Sequence, residues 1–151
     1  MNVGYRRVHY KDIPELFEVR SQTRENPISK ARLAQMGITH VNIAKGFEAG
    51  ALCGWVCLSD GEVVGFCTGD TGGGEILALA ILPDFEGQGI GKQLLEKVVD
   101  ELLQKGLNPV WLAADSNPNV RANGFYRYLG WRPTGRVLDN GDEILELYGT
   151  A

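Results

Sequence analysis

The chain reads as a mixed α/β fold, a central mixed sheet flanked by helices. Three observations predict it: helical periodicity fills the first third, a meander of apolar strands with tight turns follows, and strand and helix then alternate before a closing hairpin. At 151 residues the chain has the length of one domain, residues 1–151, with a core large enough to fold without staples. Apolar residues make up 44% and charged residues 23%, a balance that excludes a disordered chain.

Residues 3–9 predict a short strand. Asp12 then opens a helix: "DIPE" offers an N-cap Asp, Pro14 in the first turn and Glu15 in the reciprocal capping position. Ile13, Leu16, Phe17 and Arg20 continue at helical spacing. "SQTRENPIS" interrupts the pattern. Ser29 is then placed to cap a second helix over "KARLAQMG", and a third runs from Thr39 to about Glu48.

"ALCGWVCLS" and "EVVGFCTG" predict two strands joined by Asp60-Gly61, a strong signal for a two-residue hairpin. "DTGGG" makes another turn before "EILALAILP", which is apolar at nearly every position. That run predicts a strand covered on both faces in mid-sheet. Pro83 ends it. From Gly91 to about Lys105, Leu94, Leu95, Val98, Leu102 and Leu103 recur at helical intervals, and Gly106 is the stop signal. "PVWLAA" is a fifth strand and Asn119 to Leu129 another helix. "WRPTGRVL" and "EILELYG" close the chain as a hairpin around an Asn-Gly pair.

The net charge of −4 gives no footprint for gripping nucleic acid or an anionic membrane surface. Cys53, Cys57 and Cys67 are odd in number and lack metal-ligand spacing, so they read as reduced core residues and no metal is expected. "MNVGYRRVHYKDIPEL" lacks the apolar run of a signal peptide, and no segment has the length of a membrane span. The expectation is a soluble cytoplasmic protein.

"FEGQGIGKQLL" packs Gly87, Gly89 and Gly91 against the front of a helix. Amides at a helix start lack intrahelical partners, and the helix dipole favours negative charge there. Without side chains, the amides of residues 87–92 can form a nest for a pyrophosphate, with Lys92 adding a nearby positive charge. Two rival fingerprints fail. A dinucleotide G-x-G-x-x-G from Gly87 meets Lys92 at its last glycine position. A P-loop ending on Gly91-Lys92 would need glycine in place of Glu86 and Ser or Thr in place of Gln93. A flexible turn without a ligand is the plainer alternative.

The segment "ILPDFEGQGIGKQLL" resembles the GNAT superfamily of N-acetyltransferases, whose signature is Arg or Gln, two residues, Gly, one residue, then Gly or Ala, after a strand commonly ending Val-x-Pro. Ile81 and Pro83 hold the Val and Pro positions, and Gly89 and Gly91 the signature glycines. "NVRANGFYRYLGW" resembles the family's second motif, with Asn119, Ala122, Phe125, Tyr126, Leu129, Gly130 and Trp131 in register. Glu86 departs from the family, standing where Arg or Gln is usual; its carboxylate would repel a pyrophosphate unless directed to solvent, while its amide is left to donate.

The resemblance implies acetyl-coenzyme A as acyl donor and a primary amine as acceptor, meeting in a ternary complex. It implies the diphosphate on Glu86, Gly87, Gln88, Gly89, Ile90, Gly91 and Lys92, and the pantetheine arm along the main chain of Leu79, Ala80 and Ile81. Tyr126 falls on the tyrosine that many relatives direct at the coenzyme sulfur, and a phenol holds its proton at neutral pH yet can donate to a leaving thiolate. Glu75, eleven residues before Glu86, falls in the register of the general base of several histone-acetylating relatives. A solvated residue at a strand start is the alternative for Glu75. Asn119 caps its helix, bonds the coenzyme, or both. Arg24, Glu25 and Asn26 fall in the link that the resemblance puts at the acceptor mouth. Pairing into homodimers is common in the family. A non-catalytic acyl-coenzyme A-binding module on the same fold is the competing reading.

Overall fold

The computed structural model describes residues 3–23, 30–116 and 121–149. Strands β1 (Val3–Arg7), β2 (Leu52–Ser59), β3 (Glu62–Asp70) and β4 (Ile76–Ile81) form an antiparallel sheet in that order. A second antiparallel sheet runs β5 (Val110–Ala114), β7 (Glu143–Leu147), β6 (Arg132–Val137). Helices α1 (Ile13–Gln22), α2 (Lys30–Gln35) and α3 (His40–Glu48) lie between β1 and β2, α4 (Ile90–Gln104) follows β4, and α5 (Arg121–Tyr128) follows β5. Asp60 (φ 51°) and Gly61 (φ 82°) make the β2–β3 hairpin, as predicted.

The first sheet is covered on both faces. Leu16 and Val19 of α1 pack with Val56, Phe66 and Ala80. On the other face, Leu94, Leu95, Val98 and Leu102 of α4 form one cluster with Cys57, Cys67, Val110, Leu112, Trp131 and Leu145, so α4 joins both sheets. Each fully buried leucine contributes about 1.5–3 kcal/mol by leaving water. Two glycines of β3 let α4 approach: a Cβ at Gly65 would sit 2.8 Å from Ile81 Cδ1 and 3.3 Å from Leu94 Cδ1, and one at Gly69 2.8 Å from Val98 Cγ1. All three cysteines are free and buried. Among the described residues no helix is long and apolar enough to cross a membrane.

Two expectations need correction. Asp12 does not cap α1 with its side chain. A 3-10 turn, Tyr10–Asp12, runs straight into the helix, and the carboxylate instead takes both Arg6 nitrogens (2.6 and 2.9 Å) and the His9 amide (2.7 Å). It ties β1 to the start of α1.

The run "EILALAILP" is not a mid-sheet strand paired along both edges. β4 pairs with β3, and among the described residues its other side meets β5 only through an isolated parallel bridge just ahead of the strand, Glu75 with Trp111. Beyond that point the strands diverge. Leu77 is the extra residue of a bulge, since Thr68 pairs Ala78 while Gly69 pairs Ile76, and its side chain is 46% exposed. Apolar residues recur here because the strand lines a gap between sheets as well as a core.

Burial pushes the Asp12 carboxyl up, but the Arg6 pair and the His9 amide outweigh it and hold it below its ordinary value. A depressed carboxylate stabilises the fold above its unfolded pKa and loses that contribution as pH falls through the folded value. Asp12→Asn is expected to cost about 1–3 kcal/mol at pH 7 by urea unfolding, with the gap to wild type closing below about pH 4. A gap unchanged at low pH would contradict the assignment.

Candidate active site

A cleft of about 310 Å³ opens beside β4, past the bridge between Glu75 and Trp111. Its walls are Leu79, Ala80 and Ile81 of β4, the turn Phe85, Glu86, Gly87 and Gly89, the first residues of α4, Phe125 and Tyr126 of α5, and Arg20 and Thr23 at the end of α1. Ten of the residues named from sequence therefore meet in one place: Leu79, Ala80, Ile81, Glu86, Gly87, Gly89, Ile90, Gly91, Lys92 and Tyr126.

The gap exposes main chain. Leu82 donates its N–H to Val64 O across β3 (2.9 Å). Backbone groups alternate in direction along a strand, so the N–H and C=O of Leu79 and Ile81 are directed away from β3. Among the described residues no strand pairs with that edge beyond the Glu75 bridge.

The glycine turn has two physical causes rather than one. Gly87 (φ 76°) and Gly89 (φ 82°) occupy the left-handed region, which costs other residues about 1–2 kcal/mol. Gly91 has an ordinary helical backbone; a Cβ there would rest 3.6 Å from Phe125 and 4.0 Å from Leu79, so it keeps the cleft floor open. Gly89 is the N-cap of α4 and offers no side-chain cap. The first intrahelical bond at this end is Gln93 N–H to Gly89 O (3.2 Å), which leaves the amides of Ile90, Gly91 and Lys92 without helical acceptors. Such a helix start can take an anion.

Glu86 differs from the expectation in one respect. Its amide donates to Pro83 O (3.3 Å), so that donor is already engaged. The residue is half-buried and belongs to the cleft wall. Gln88 is exposed and lies outside the lining; its side-chain amide donates to Asp84 O at 3.5 Å.

Tyr126 is held by the end of α5. Leu129, Gly130 and Trp131 turn back with N–H bonds to Phe125, Tyr126 and Arg127 carbonyls, among them Trp131 N–H to Tyr126 O (3.1 Å). Gly130 takes φ 99° to make this turn. The Tyr126 ring meets Phe125 and Trp131 edge-on, with centroids 5.3 and 6.0 Å away. Burial lifts its phenol far above the ordinary value, the Cys67 thiol adds to the rise, and the charge of Arg20 opposes it. Burial pulls the Arg20 guanidinium down in turn, with Tyr126 opposing.

Glu75 lies at the Trp111 bridge, outside the cleft lining. It is four strand positions before Leu79, roughly 13 Å at the rise of an extended chain. Burial raises its carboxyl, and Asp70 raises it further. Asn119, and Arg24, Glu25 and Asn26, lie outside the described residues. Among the described residues no cluster of three His, Cys, Asp or Glu side chains is arranged to hold a metal ion.

The cleft residues missed from sequence are Arg20, Thr23, Phe85 and Phe125. For Arg20 a signal existed. It continues the stripe of Ile13, Leu16 and Phe17, and a charge on an apolar stripe marks a place where the stripe stops facing core.

Gly89→Ala is expected to lower stability by about 1–2 kcal/mol, because alanine must adopt the left-handed backbone. Gly91→Ala should be neutral or stabilising, since its backbone is already helical. Equal losses in denaturant unfolding would refute the separate causes.

The profile of the acetyltransferase (GNAT) family matches residues 13–131. An uncharacterized N-acetyltransferase of Archaeoglobus fulgidus is 37% identical over 78 residues, 44% of this chain and 51% of that protein. The peptidyl-lysine N-acetyltransferase YjaB of Salmonella typhimurium is 39% identical over 85 residues, 54% of this chain and 52% of that protein. The matches span about half the length of these two relatives. The crystal structure of the PaiA N-acetyltransferase of Thermoplasma acidophilum in complex with coenzyme A shares the fold, with a TM-score of 0.81 and 20% identity over 99% of this chain and 100% of that one. The chain belongs to the acetyltransferase (GNAT) family.

Proposed function

We propose that this member of the GNAT family, acting as one unit over residues 1–151, transfers an acetyl group from acetyl-coenzyme A to a primary amine by direct attack in a ternary complex. The observation that carries the reading is the cleft itself. A strand edge at Leu79 and Ile81 that no described strand pairs, a glycine turn presenting the amides of a helix start, and the half-buried Tyr126 phenol face one space. Those three features fit the parts of one molecule: an amide-bearing arm, a diphosphate and a thioester. The solved PaiA structure of the same fold contains coenzyme A, which supports the same ligand here.

When bound, acetyl-coenzyme A supplies an activated acyl group. The chain's own residues do the rest. Leu79 and Ile81 bond the arm as a neighbouring strand would. The amides of Gly87 to Lys92 take the diphosphate, with the Lys92 ammonium, 53% exposed and 3.9 Å from Glu96, adding charge. The amine attacks the acyl carbon, the carbon–nitrogen bond forms, and the carbon–sulfur bond breaks. Tyr126 gives its proton to the departing sulfur. Its raised pKa keeps that proton available throughout the neutral range.

Glu75 is the proposed base, reached through water because it stands back from the cleft. Its raised carboxyl suits proton acceptance nearer neutral pH than an ordinary glutamate. One observation favours the competing reading of an acyl-coenzyme A-binding module without turnover: Glu75 is outside the lining. Both readings expect a bound coenzyme, and release of free thiol separates them.

Acetyl-coenzyme A is expected to raise the melting temperature, because a ligand that binds only the folded state stabilises it. Tyr126→Phe should lower amine-dependent thiol release by about 10²–10⁴-fold while keeping the melting shift. No shift at millimolar ligand would overturn both readings, and full activity of Tyr126→Phe would remove its role. Glu75→Gln should lower kcat and abolish the acid limb of the pH profile, whereas an unaltered limb would assign the base elsewhere.

A further inference from the structure

Tyr126 lines the cleft, yet among the described residues no hydrogen bond holds its hydroxyl. Among those residues no buried side-chain oxygen or nitrogen lacks a partner, so this hydroxyl is not sealed inside the protein. The open space that Tyr126 borders is the cleft. The polar end of the side chain is thus left for a ligand, and no polar contact fixes its aim. A tyrosine turns among staggered wells at χ1, and a change of well swings the hydroxyl away from its place. Packing has to choose the well.

Two rings do so, and their surroundings differ. Phe125 precedes Tyr126 on α5, is half-buried, and itself lines the cleft, where it shares space with whatever enters. Trp131 stands behind. It is 2% exposed, outside the lining, and packed in the core cluster with Leu94, Val98, Leu112 and Leu145. Its ring meets the Tyr126 ring edge-on, with centroids 6.0 Å apart and planes at 68°, a geometry that aromatic quadrupoles favour. Its amide also donates to Tyr126 O at 3.1 Å. The left-handed Gly130 (φ 99°) reverses the chain so that both contacts are made at once. An aliphatic side chain could fill this part of the core, but it would offer no aromatic contact to the phenol.

We propose that Trp131 is the positioning residue that aims the Tyr126 hydroxyl at the coenzyme sulfur. The inference rests on the function proposed above, in which Tyr126 protonates the departing thiolate. Proton transfer needs the hydroxyl within hydrogen-bond reach of that sulfur. A displacement of about 1 Å in such a constellation can cost about 100-fold in rate. A ring set in the rigid core supplies the constraint without occupying the cleft, and Trp131 acts through Tyr126 alone.

The test is a double-mutant cycle on the full chain, read by amine-dependent thiol release. Trp131→Leu is expected to lower kcat by about 10–100-fold while changing KM for acetyl-coenzyme A less than about two-fold. Trp131→Phe keeps an aromatic edge and should stay within about three-fold of wild type. In the Tyr126→Phe background, Trp131→Leu should lower the residual rate less than about two-fold, because no hydroxyl remains to be aimed. The melting shift with acetyl-coenzyme A, recorded for every variant, reports a folded protein with its coenzyme cleft formed. Where Trp131→Leu shows no shift, Trp131→Met replaces it, since its adaptable chain fills the space without a ring. Equal losses in the two backgrounds, a Trp131→Phe loss as large as that of the ringless variant, or an unchanged kcat in a folded ringless variant would overturn the inference. Each of those results leaves the role of Tyr126 standing. Full activity of Tyr126→Phe would remove that role and this inference together, and no thiol release with any amine would overturn the transferase reading as well.

Discussion

The parting of β4 from β5 is the constraint on which the rest of the structure depends. The two strands run parallel and touch at Glu75 and Trp111, then separate. A continuous sheet would satisfy every backbone group of Leu79 and Ile81 within the protein. The separation leaves them facing a cleft, which is tolerable because solvent or a ligand can take those bonds. The Leu77 bulge contributes by changing which face each following residue presents. Ala78 and Ala80 turn to the α1 side, while Leu79 and Ile81 turn to the α4 side. One extra residue thus sets both the edge and the wall.

What keeps the gap from collapsing is the packing of α4 across both sheets. Its buried leucines and valines meet β2, β3, β5 and β7 in a single cluster, and Gly65 and Gly69 bring the helix close enough for that contact. The same helix begins at Gly89, so its rigid core positions the free amides of its first turn. Rigidity and function share one element. On the other side, Asp12 joins β1 to the start of α1 through Arg6 and His9, and α1 carries Arg20 to the cleft. A short network around the buried Asp12 carboxylate therefore helps to hold one of its walls.

Much of this arrangement was legible in the residue order, and the reasons differ by element. The Asp60-Gly61 hairpin, α4 and the closing hairpin depend on local turn chemistry and periodicity, which a sequence displays directly. Tyr126 was legible through the resemblance of "NVRANGFYRYLGW" to the family's second motif, and the same segment holds the Gly130 turn that fixes its helix end. The edge of β4 was not, because an apolar run looks the same whether it lines a core or a gap. Asp12 was assigned to a cap for a similar reason: its three bonds come from Arg6 and His9, and the local "DIPE" pattern hides them. Arg20 was counted as one more helical repeat, although its charge broke the stripe. The engaged amide of Glu86 follows from the 3-10 turn Pro83–Phe85, which spacing alone does not reveal.

The central claim, that backbone groups of a parted strand edge and a helix start receive one coenzyme, is tested most directly by following amide resonances of the isotopically labelled protein as coenzyme A is added. The account predicts the largest shifts at Leu79, Ile81, Gly87 and Gly89 through Lys92, with the Glu86 amide, already bonded to Pro83, moving less. Shifts concentrated on another surface, with these amides unmoved at saturation, would contradict it.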